Sequence, residues 1–424
     1  MPSSNVNILE ILQAREERAA RQSHLLRQYG LPLLSFSMNI AGPVKDTALV
    51  RLAFYEGRRR LLEHMQPVYE ELRFDAAGPS LLWAAEMDTA SIKRTAEGIE
   101  ELDELGRLFD MDVLTAAGEK LSRSEPRKCL LCGEDARVCA RSRNHGLDEV
   151  TAETERRLLD FAAALYADKA VEALLAELYT TPKPGLVDRN NCGAHTDMDL
   201  PLFEKSAYAL RPYFYDAFRI GYAAGEERAS MERLRRRGIA GEKEMFAATG
   251  GVNTHKGMVY TLGLLLGGAG RACALGGDSV ERAAELAQSD FAETMAAAAV
   301  RGESHGEKLY VQKGIRGIRG EAADGFPHAR RAAARLGEGA AATTVLLELM
   351  AEMEDTNVLH RAGERGAALV KREARRICAL SESERKAAMT ELDELFTREN
   401  ISPGGAADTL AAGIFLDSVR SLRG

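Results

Sequence analysis

The sequence predicts a multidomain protein in which an N-terminal α/β domain, residues 1–154, precedes an all-α C-terminal domain, residues 155–424. Three observations predict this. In "LLSFSMNI", Phe36, Met38 and Ile40 alternate with Ser35, Ser37 and Asn39, the two-residue period of a strand. After Thr151 that alternation gives way to alanine-rich stretches whose apolar residues recur every three or four positions, the period of a helix. The change falls between His145 and Leu158, and each side is long enough to bury its own core.

The elements follow in order. "NILEILQAREERAARQSHLLRQYG" reads as a helix stopped by Gly30, and the strand through Phe36 comes next. A second helix is expected over 46–66, then short strands in "LLWAAEM" and "RLFDMDVL". Beyond Thr151, Val171, Leu174, Leu175 and Leu178 share one helical face ahead of the stop "TPKPG". Glycine-rich polar loops interrupt the helices: "TPKPGLVDRNNCGAHTDMD", "TGGVNTHKG", "SHGEK" and "KGIRGIRGEAADGFP". Charged residues kept among helix-breaking glycines mark where a helical scaffold would build a site.

Composition narrows the function classes. A formal charge of −8 argues against bulk binding of nucleic acid or an acidic membrane, and a phosphorylated small molecule fits better. The N-terminus lacks a basic-then-apolar signal pattern, and no uninterrupted apolar run reaches spanning length, so a cytoplasmic location without membrane association is expected. Three of the six cysteines crowd into "CLLCGEDARVC", unlike a secreted disulfide framework.

"TGGVNTHKG" resembles a phosphate cradle but is not a nucleotide P-loop. His255 stands where that motif has its second glycine, Gly257 stands where it has a hydroxyl, and the preceding "GEKEMFAA" reads as helix, not strand. Gly250, Gly251 and Lys256 are candidate phosphate-binding residues, with helix-to-helix connection as the plain alternative. In "HTDMD", His195, Asp197 and Asp199 recur at every second position and would project to one side if extended. Two carboxylates there suit Mg²⁺ that carries phosphates, or one of them caps the following helix. "MEDTNVLHR" adds Glu354, Asp355 and Asn357, with Asp355 a further Mg²⁺ candidate, and "NISPGGAAD" adds Asp408. Lys183, Lys256, Lys313, Arg316 and Arg319 complete a set suited to polyphosphate.

In the first part, Asp110 and Asp112 lie two apart in a predicted strand and face one way, a pair able to hold Mg²⁺ for attack at phosphorus or to form a solvated strand face. Cys129, Cys132, Cys139 and His145 form a C-x₂-C-x₆-C-x₅-H pattern. It could close a tetrahedral zinc site, or it is a basic loop of reduced cysteines in which Arg137, Arg141 and Arg143 hold phosphate.

The blocks "TPKPGLVDRNNCGAHTDMD", "GGVNTHKG", "SHGE", "GIRGEAADGFP", "EDTNVLHR" and "NISPGGAAD" together resemble the triphosphoribosyl-dephospho-CoA synthase family over nearly all of 160–424. The resemblance implies an all-helical enzyme that joins ATP and 3′-dephospho-CoA and releases adenine. Attack of a 2′-hydroxyl on the ribose C1 wants a base for the hydroxyl and a proton donor for the adenine; His195, His255 and Glu307 are the candidates. "SFSMNIAGPVK", "GRLFDMDVL" and "PRKCLLCGEDARVCARSRNH" resemble the apo-citrate lyase phosphoribosyl-dephospho-CoA transferase family. That resemblance implies transfer of the phosphoribosyl-dephospho-CoA group to a serine of the citrate lyase acyl carrier subunit, with loss of pyrophosphate. The same chemistry for a malonate decarboxylase carrier subunit and a non-catalytic nucleotide-binding protein are the alternatives.

Overall fold

The computed structural model of the chain describes residues 8–123, 125–301 and 305–423, with side chains described outside 298–307 and 423. Its contacts fall into two units, built mainly from Met1–Ala162 and Ala163–Ser421.

The first unit is one sheet with helices on both faces. Its elements are α1 (Ile8–Tyr29), β1 (Leu33–Met38), α2 (Ala48–His64), β2 (Tyr69–Asp75), β3 (Gly78–Ala84), α3 (Thr89–Glu101), β4 (Phe109–Leu114), α4 (Ala136–Ser142) and the start of α5 (Leu147–Tyr179). The strand order is β2-β3-β1-β4, and every neighbouring pair is antiparallel. This corrects the α/β expectation, since no parallel crossover is present among the described strands. β2 is the strand the sequence reading missed: it is an edge strand carrying Glu70, Glu71, Arg73 and Asp75, and charge on an edge hides the strand period while protecting against unwanted pairing.

One face of the sheet is apolar across β1, β3 and β4, with Glu70 of the edge strand β2 pairing with Arg58 of α2 at its margin. Phe36 stacks on Phe54 of α2 at 5.0 Å between ring centroids and meets Phe109 edge-on at 5.3 Å. Gly57 lets α2 approach, because a Cβ there would run into the Phe36 ring. The other face divides along the strands. Leu33, Leu82 and Ala84 pack under Leu25 and Leu26 of α1, whereas the far end presents Ser37, Ser80 and Asp110. The boundary expected after residue 154 lies inside α5, whose residues up to Ala162 belong to the first unit.

Every regular element described in the second unit is helical. After α5 come α6 (Leu200–Ala209), α7 (Arg211–Tyr222), α8 (Glu227–Thr249), α9 (Lys256–Leu275), α10 (Ser279–Gln288), α11 (Phe291–Arg301) and α12 (His305–Lys313). Then follow α13 (Gly317–Ala323), α14 (Pro327–Gly337), α15 (Ala342–Glu352), α16 (Thr356–Cys378), α17 (Glu382–Arg398) and α18 (Gly404–Arg420), with a kink in α16 at Gly363. α9 is long and apolar enough by composition to cross a membrane, and 78% of that apolar window is buried inside the unit, against α7, α8 and α10. Contact this close needs glycine. Cβ atoms at Gly221 of α7 or Gly270 of α9 would collide with the Gly267 and Phe218 carbonyls of the facing helix, and Gly263 makes room for Tyr213, whose hydroxyl donates to the Val259 carbonyl at 2.8 Å.

Two glycine-to-alanine changes should therefore have opposite signs. Gly270→Ala forces a methyl into a backbone and should cost about 1–3 kcal/mol or more. Gly98→Ala, exposed in α3 with open space at its Cβ, should stabilise by roughly 0.5–1 kcal/mol. Denaturant unfolding followed by circular dichroism checks both; equal signs would contradict the close-packed reading of α7 on α9.

Candidate active sites

In the second unit a cleft of about 930 Å³ gathers residues from nearly every loop singled out in the sequence. Its walls include the first residues of α9, α16 and α18, so three helix N-termini open onto one space. Unpaired N–H groups and the helix dipoles make such a place favourable for anions.

Asp355 ties two of these termini together. Its Oδ1 accepts from the Asn357 and Val358 amides of α16 at 2.8 and 3.2 Å, and its Oδ2 accepts from the Ala406 amide of α18 at 3.0 Å. Burial raises its pKa, and the backbone N–H bonds oppose that shift. Gly405 leaves room here, since a Cβ would sit 3.0 Å from the Asp355 carboxyl. Both oxygens are engaged, so Asp355 caps two helices while it lines the cleft.

Beside it lies a group of buried charges. Lys183 and Glu177 form an ion pair at 2.6 Å with both side chains buried, and burial raises the Glu177 pKa despite the lysine. Asp408 reaches the cleft through the space left by Gly257, where a Cβ would collide with its carboxylate. Asp408 is pushed well above the usual carboxylate range by desolvation, then by the Glu177 and Asp355 charges, and it has no hydrogen-bond partner among the described residues. Its surface is part-exposed to the cleft although the surrounding protein is dense, so the carboxyl is poorly solvated yet reachable.

The two histidines differ. His255 is buried, stands edge-on to Phe203, and its Nδ1 lies 2.7 Å from the Ser206 hydroxyl, which accepts from Thr254 at 2.6 Å. The contact with Ser206 fixes the ring's orientation and leaves Nε2 as its other polar atom. Burial, with help from Lys183, lowers the His255 pKa to about 3. His195 is half-buried, its Nε2 is 2.9 Å from the Ser402 hydroxyl, and burial followed by the Arg361 charge lowers its pKa. Its loop is fixed by Asp188, which accepts from the Lys183, Asn190 and Asn191 amides, and by Asp393, which accepts from the Gly185 amide at 2.8 Å.

The cleft thus brings together Lys183, His195, Asp197, His255, Lys256, Arg316 and Asp355. Lys256 is 56% exposed and 3.3 Å from Glu242; Arg316 pairs with Asp324. Other expected residues lie elsewhere. Gly250 and Gly251, at φ of 67° and 93°, end α8 and turn the chain, so only the second half of "TGGVNTHKG" faces the cleft. Asp199 caps α6 by accepting from the Leu202 amide at 3.0 Å, Lys313 pairs with Glu364 at 2.5 Å, and Arg319 does not line the cleft. The Glu307 side chain lies outside the described residues. Glu177 and Arg361 were missed, and Glu177 had a signal: it continues the apolar helical face of Ala170 and Leu174, where a carboxylate is out of place.

In the first unit, strand register places Arg73, Ser80, Ser37 and Asp110 in one row across the sheet, with Ser35 and Asp112 in the next. Asp110 is 3.6 Å from Arg127, which also donates to the Phe109 carbonyl at 2.7 Å, and Asp112 pairs with Lys120 at 2.5 Å. Buried Glu100 holds Arg127 and Arg123 and accepts from the Met111 amide at 2.7 Å. Arg18 of α1, half-buried among the charges of Asp75, Asp110 and Arg73, has Nε and Nη2 shielded and without hydrogen-bond partners. A shielded guanidinium beside an aspartate row is a ready phosphate clamp. Arg141 and Arg143 are exposed at the end of α4, while Cys129, Cys132, Cys139 and His145 are drawn together with their ligand atoms within 4.8 Å of one another.

Comparison with known proteins agrees with this division. Residues 6–161 match the family model of apo-citrate lyase phosphoribosyl-dephospho-CoA transferase (CitX), and residues 163–424 match that of ATP:dephospho-CoA triphosphoribosyl transferase (CitG). Protein CitXG of Haemophilus influenzae is 32% identical over 98% of this chain and 97% of its own length. Protein CitXG of Leuconostoc mesenteroides subsp. cremoris is 30% identical over 97% of each. The 2-(5''-triphosphoribosyl)-3'-dephosphocoenzyme-A synthase of Haemophilus ducreyi is 33% identical over 68% of this chain and 99% of its own length.

The His255 environment has a consequence for acid stability. The unfolded imidazole protonates near 6.5 and the buried one near 3, so between those values the unfolded state binds more protons and stability falls as pH falls. His255→Gln should remove this, making the loss of unfolding free energy between pH 7 and pH 5 smaller by roughly 2 kcal/mol. Urea unfolding at the two pH values measures it, and an unchanged difference would mean that the ring protonates without unfolding.

Proposed function

Because the chain belongs to the family that fuses apo-citrate lyase phosphoribosyl-dephospho-CoA transferase to ATP:dephospho-CoA triphosphoribosyl transferase, and is thus a bifunctional transferase of citrate lyase prosthetic-group biosynthesis, we propose that its units carry out consecutive steps. The second unit joins ATP to 3′-dephospho-CoA and releases adenine. The first transfers the phosphoribosyl-dephospho-CoA group of that product to a serine of the acyl carrier subunit and releases pyrophosphate.

What carries this reading is the cleft in which three helix N-termini and Lys256, Arg316 and Arg361 meet the crowded carboxyls of Glu177 and Asp408. The helix termini, Lys256 and Arg316 take the triphosphate of ATP, which leaves the ribose C1 toward the carboxyls. The 2′-hydroxyl of dephospho-CoA then bonds to C1 as the C1–N9 bond breaks, and adenine departs with the electron pair. Neutral His195 accepts the hydroxyl proton, and Asp408, whose raised pKa keeps a proton available, donates to adenine. His255 is kept neutral by burial and held in place by Ser206. Mg²⁺ fits this donor set of hard carboxylate oxygens, with Asp197 facing the cleft in the second unit and Asp110 and Asp112 side by side in the first; when bound it neutralises phosphate charge. In the first unit Arg18, Arg73 and Arg127 hold the phosphates while the serine oxygen attacks the α-phosphorus.

Incubation with ATP, Mg²⁺ and dephospho-CoA should yield free adenine, and appearance of ADP or AMP in its place would overturn the reading. Lys256→Ala should raise the KM for ATP by roughly tenfold or more, with dephospho-CoA little affected. Asp408→Asn should remove adenine release. In the native enzyme the rate should fall as pH rises through the raised Asp408 pKa, since an acid must be protonated to act. Asp110→Asn should abolish carrier modification and spare adenine release; equal loss of both in a folded variant would refute the division of labour.

A further inference from the structure

We propose that Cys129, Cys132, Cys139 and His145 form a structural zinc site that holds together the segment between β4 and α5. Between Val113 and Leu158, Cys139 is the one apolar side chain that is fully buried among the described residues, while Leu131 and Val138 are exposed. A segment of this length without a core of its own needs another source of order, and metal ligation is a common one.

The local chain is already shaped around such an ion. Lys128 and Asp135 bridge across a tight reversal, and the Cys129 amide donates to the Glu134 carbonyl at 2.6 Å. Within that turn the Leu131 amide points at Cys129 Sγ, 3.5 Å away, which favours a thiolate, and Gly133 follows the second cysteine at a φ of 76°. Asp135 then caps α4 through the Arg137 and Val138 amides, which places Cys139 in the first turn, and α4 ends at Arg143 so that His145 folds back.

Distances distinguish the candidate chemistries. Cys132 and Cys139 Sγ are 3.9 Å apart. A disulfide requires roughly 2 Å, whereas two thiolates on a tetrahedral zinc with bonds of about 2.3 Å lie about 3.8 Å from each other. His145 Nε2 is shielded from solvent and has no hydrogen-bond partner, a state that is costly unless something accepts the lone pair or the proton. Three thiolates and a neutral imidazole close the coordination sphere, which leaves no position for substrate and marks the site as structural. Arg127 lies two residues before Cys129 and beside Asp110, so the ion also steadies a residue of the transferase face.

Elemental analysis of the full chain, purified without chelator, should find about one zinc per protein. Cys129→Ser/Cys132→Ser should lose it, and Cys192→Ser/Cys273→Ser should keep it. Anaerobic cobalt(II) titration of metal-stripped native protein should show the intense visible bands of a tetrahedral thiolate site, a readout independent of whether the variant folds. Protein that carries no zinc and gives only octahedral cobalt spectra, or a Cys132–Cys139 disulfide in reduced preparations, would overturn the assignment. Neither result bears on adenine release, so failure here is distinguishable from failure of the proposed enzymatic steps.

Discussion

The second unit is organised around a single buried carboxylate, that of Asp355, which accepts N–H groups from the starts of two helices at once. A helix N-terminus repels another, because each carries a partial positive charge. A carboxyl that accepts from the starts of both α16 and α18 offsets that repulsion and holds the two termini at the wall of the cleft. The glycines of "NISPGGAAD" follow from this, since Gly404 and Gly405 leave room for Asn357 and Asp355.

The same neighbourhood stores electrostatic tension. Burial raises the proton affinity of Glu177, Asp355 and Asp408, the charges of Glu177 and Asp355 raise that of Asp408 further, and Lys183 offsets only part of the effect at Glu177. Crowded, desolvated carboxyls are a poor choice for stability and a useful one for proton transfer, the usual compromise of a functional site. The close glycine contacts of α9 with α7 supply a rigid backing, so the strained groups are held by a tightly packed core.

The first unit solves a different problem with one sheet. Side chains alternate between faces, so the same strands that bury Phe36, Phe109 and Met111 must turn Ser37 and Asp110 the other way. α1 covers only part of that second face, with Leu25 and Leu26 over its apolar end and Arg18 over the polar row. Burial of Glu100 pins Arg123 and Arg127 across β4, and this connects the cysteine-rich segment to the aspartates.

Local periodicity was legible from residue order alone. The stop at Gly30, the strand through Phe36, the Asp110 and Asp112 pair on one side of β4 and the helical period after Thr151 all depend on neighbours in the chain, and the structure has α1 ending at Tyr29 and β4 spanning Phe109–Leu114. The ligand-like spacing of Cys129, Cys132, Cys139 and His145 was legible for the same reason, because a hairpin and a short helix can gather it locally. What residue order could not decide was which polar side chain meets which across long separations. Asp197, Asp199, Asp355 and Asp408 look alike in sequence, yet Asp199 and Asp355 satisfy backbone amides, Asp199 away from the cleft and Asp355 in its wall beside Asp197 and Asp408. "TGGVNTHKG" divides likewise into a helix stop and a cleft wall, because only packing sets where α9 begins relative to α18. Proton affinity was equally hidden: His255 and Asp408 take theirs from desolvation and from charges distant in the chain, quantities that exist only once the helices have closed around them.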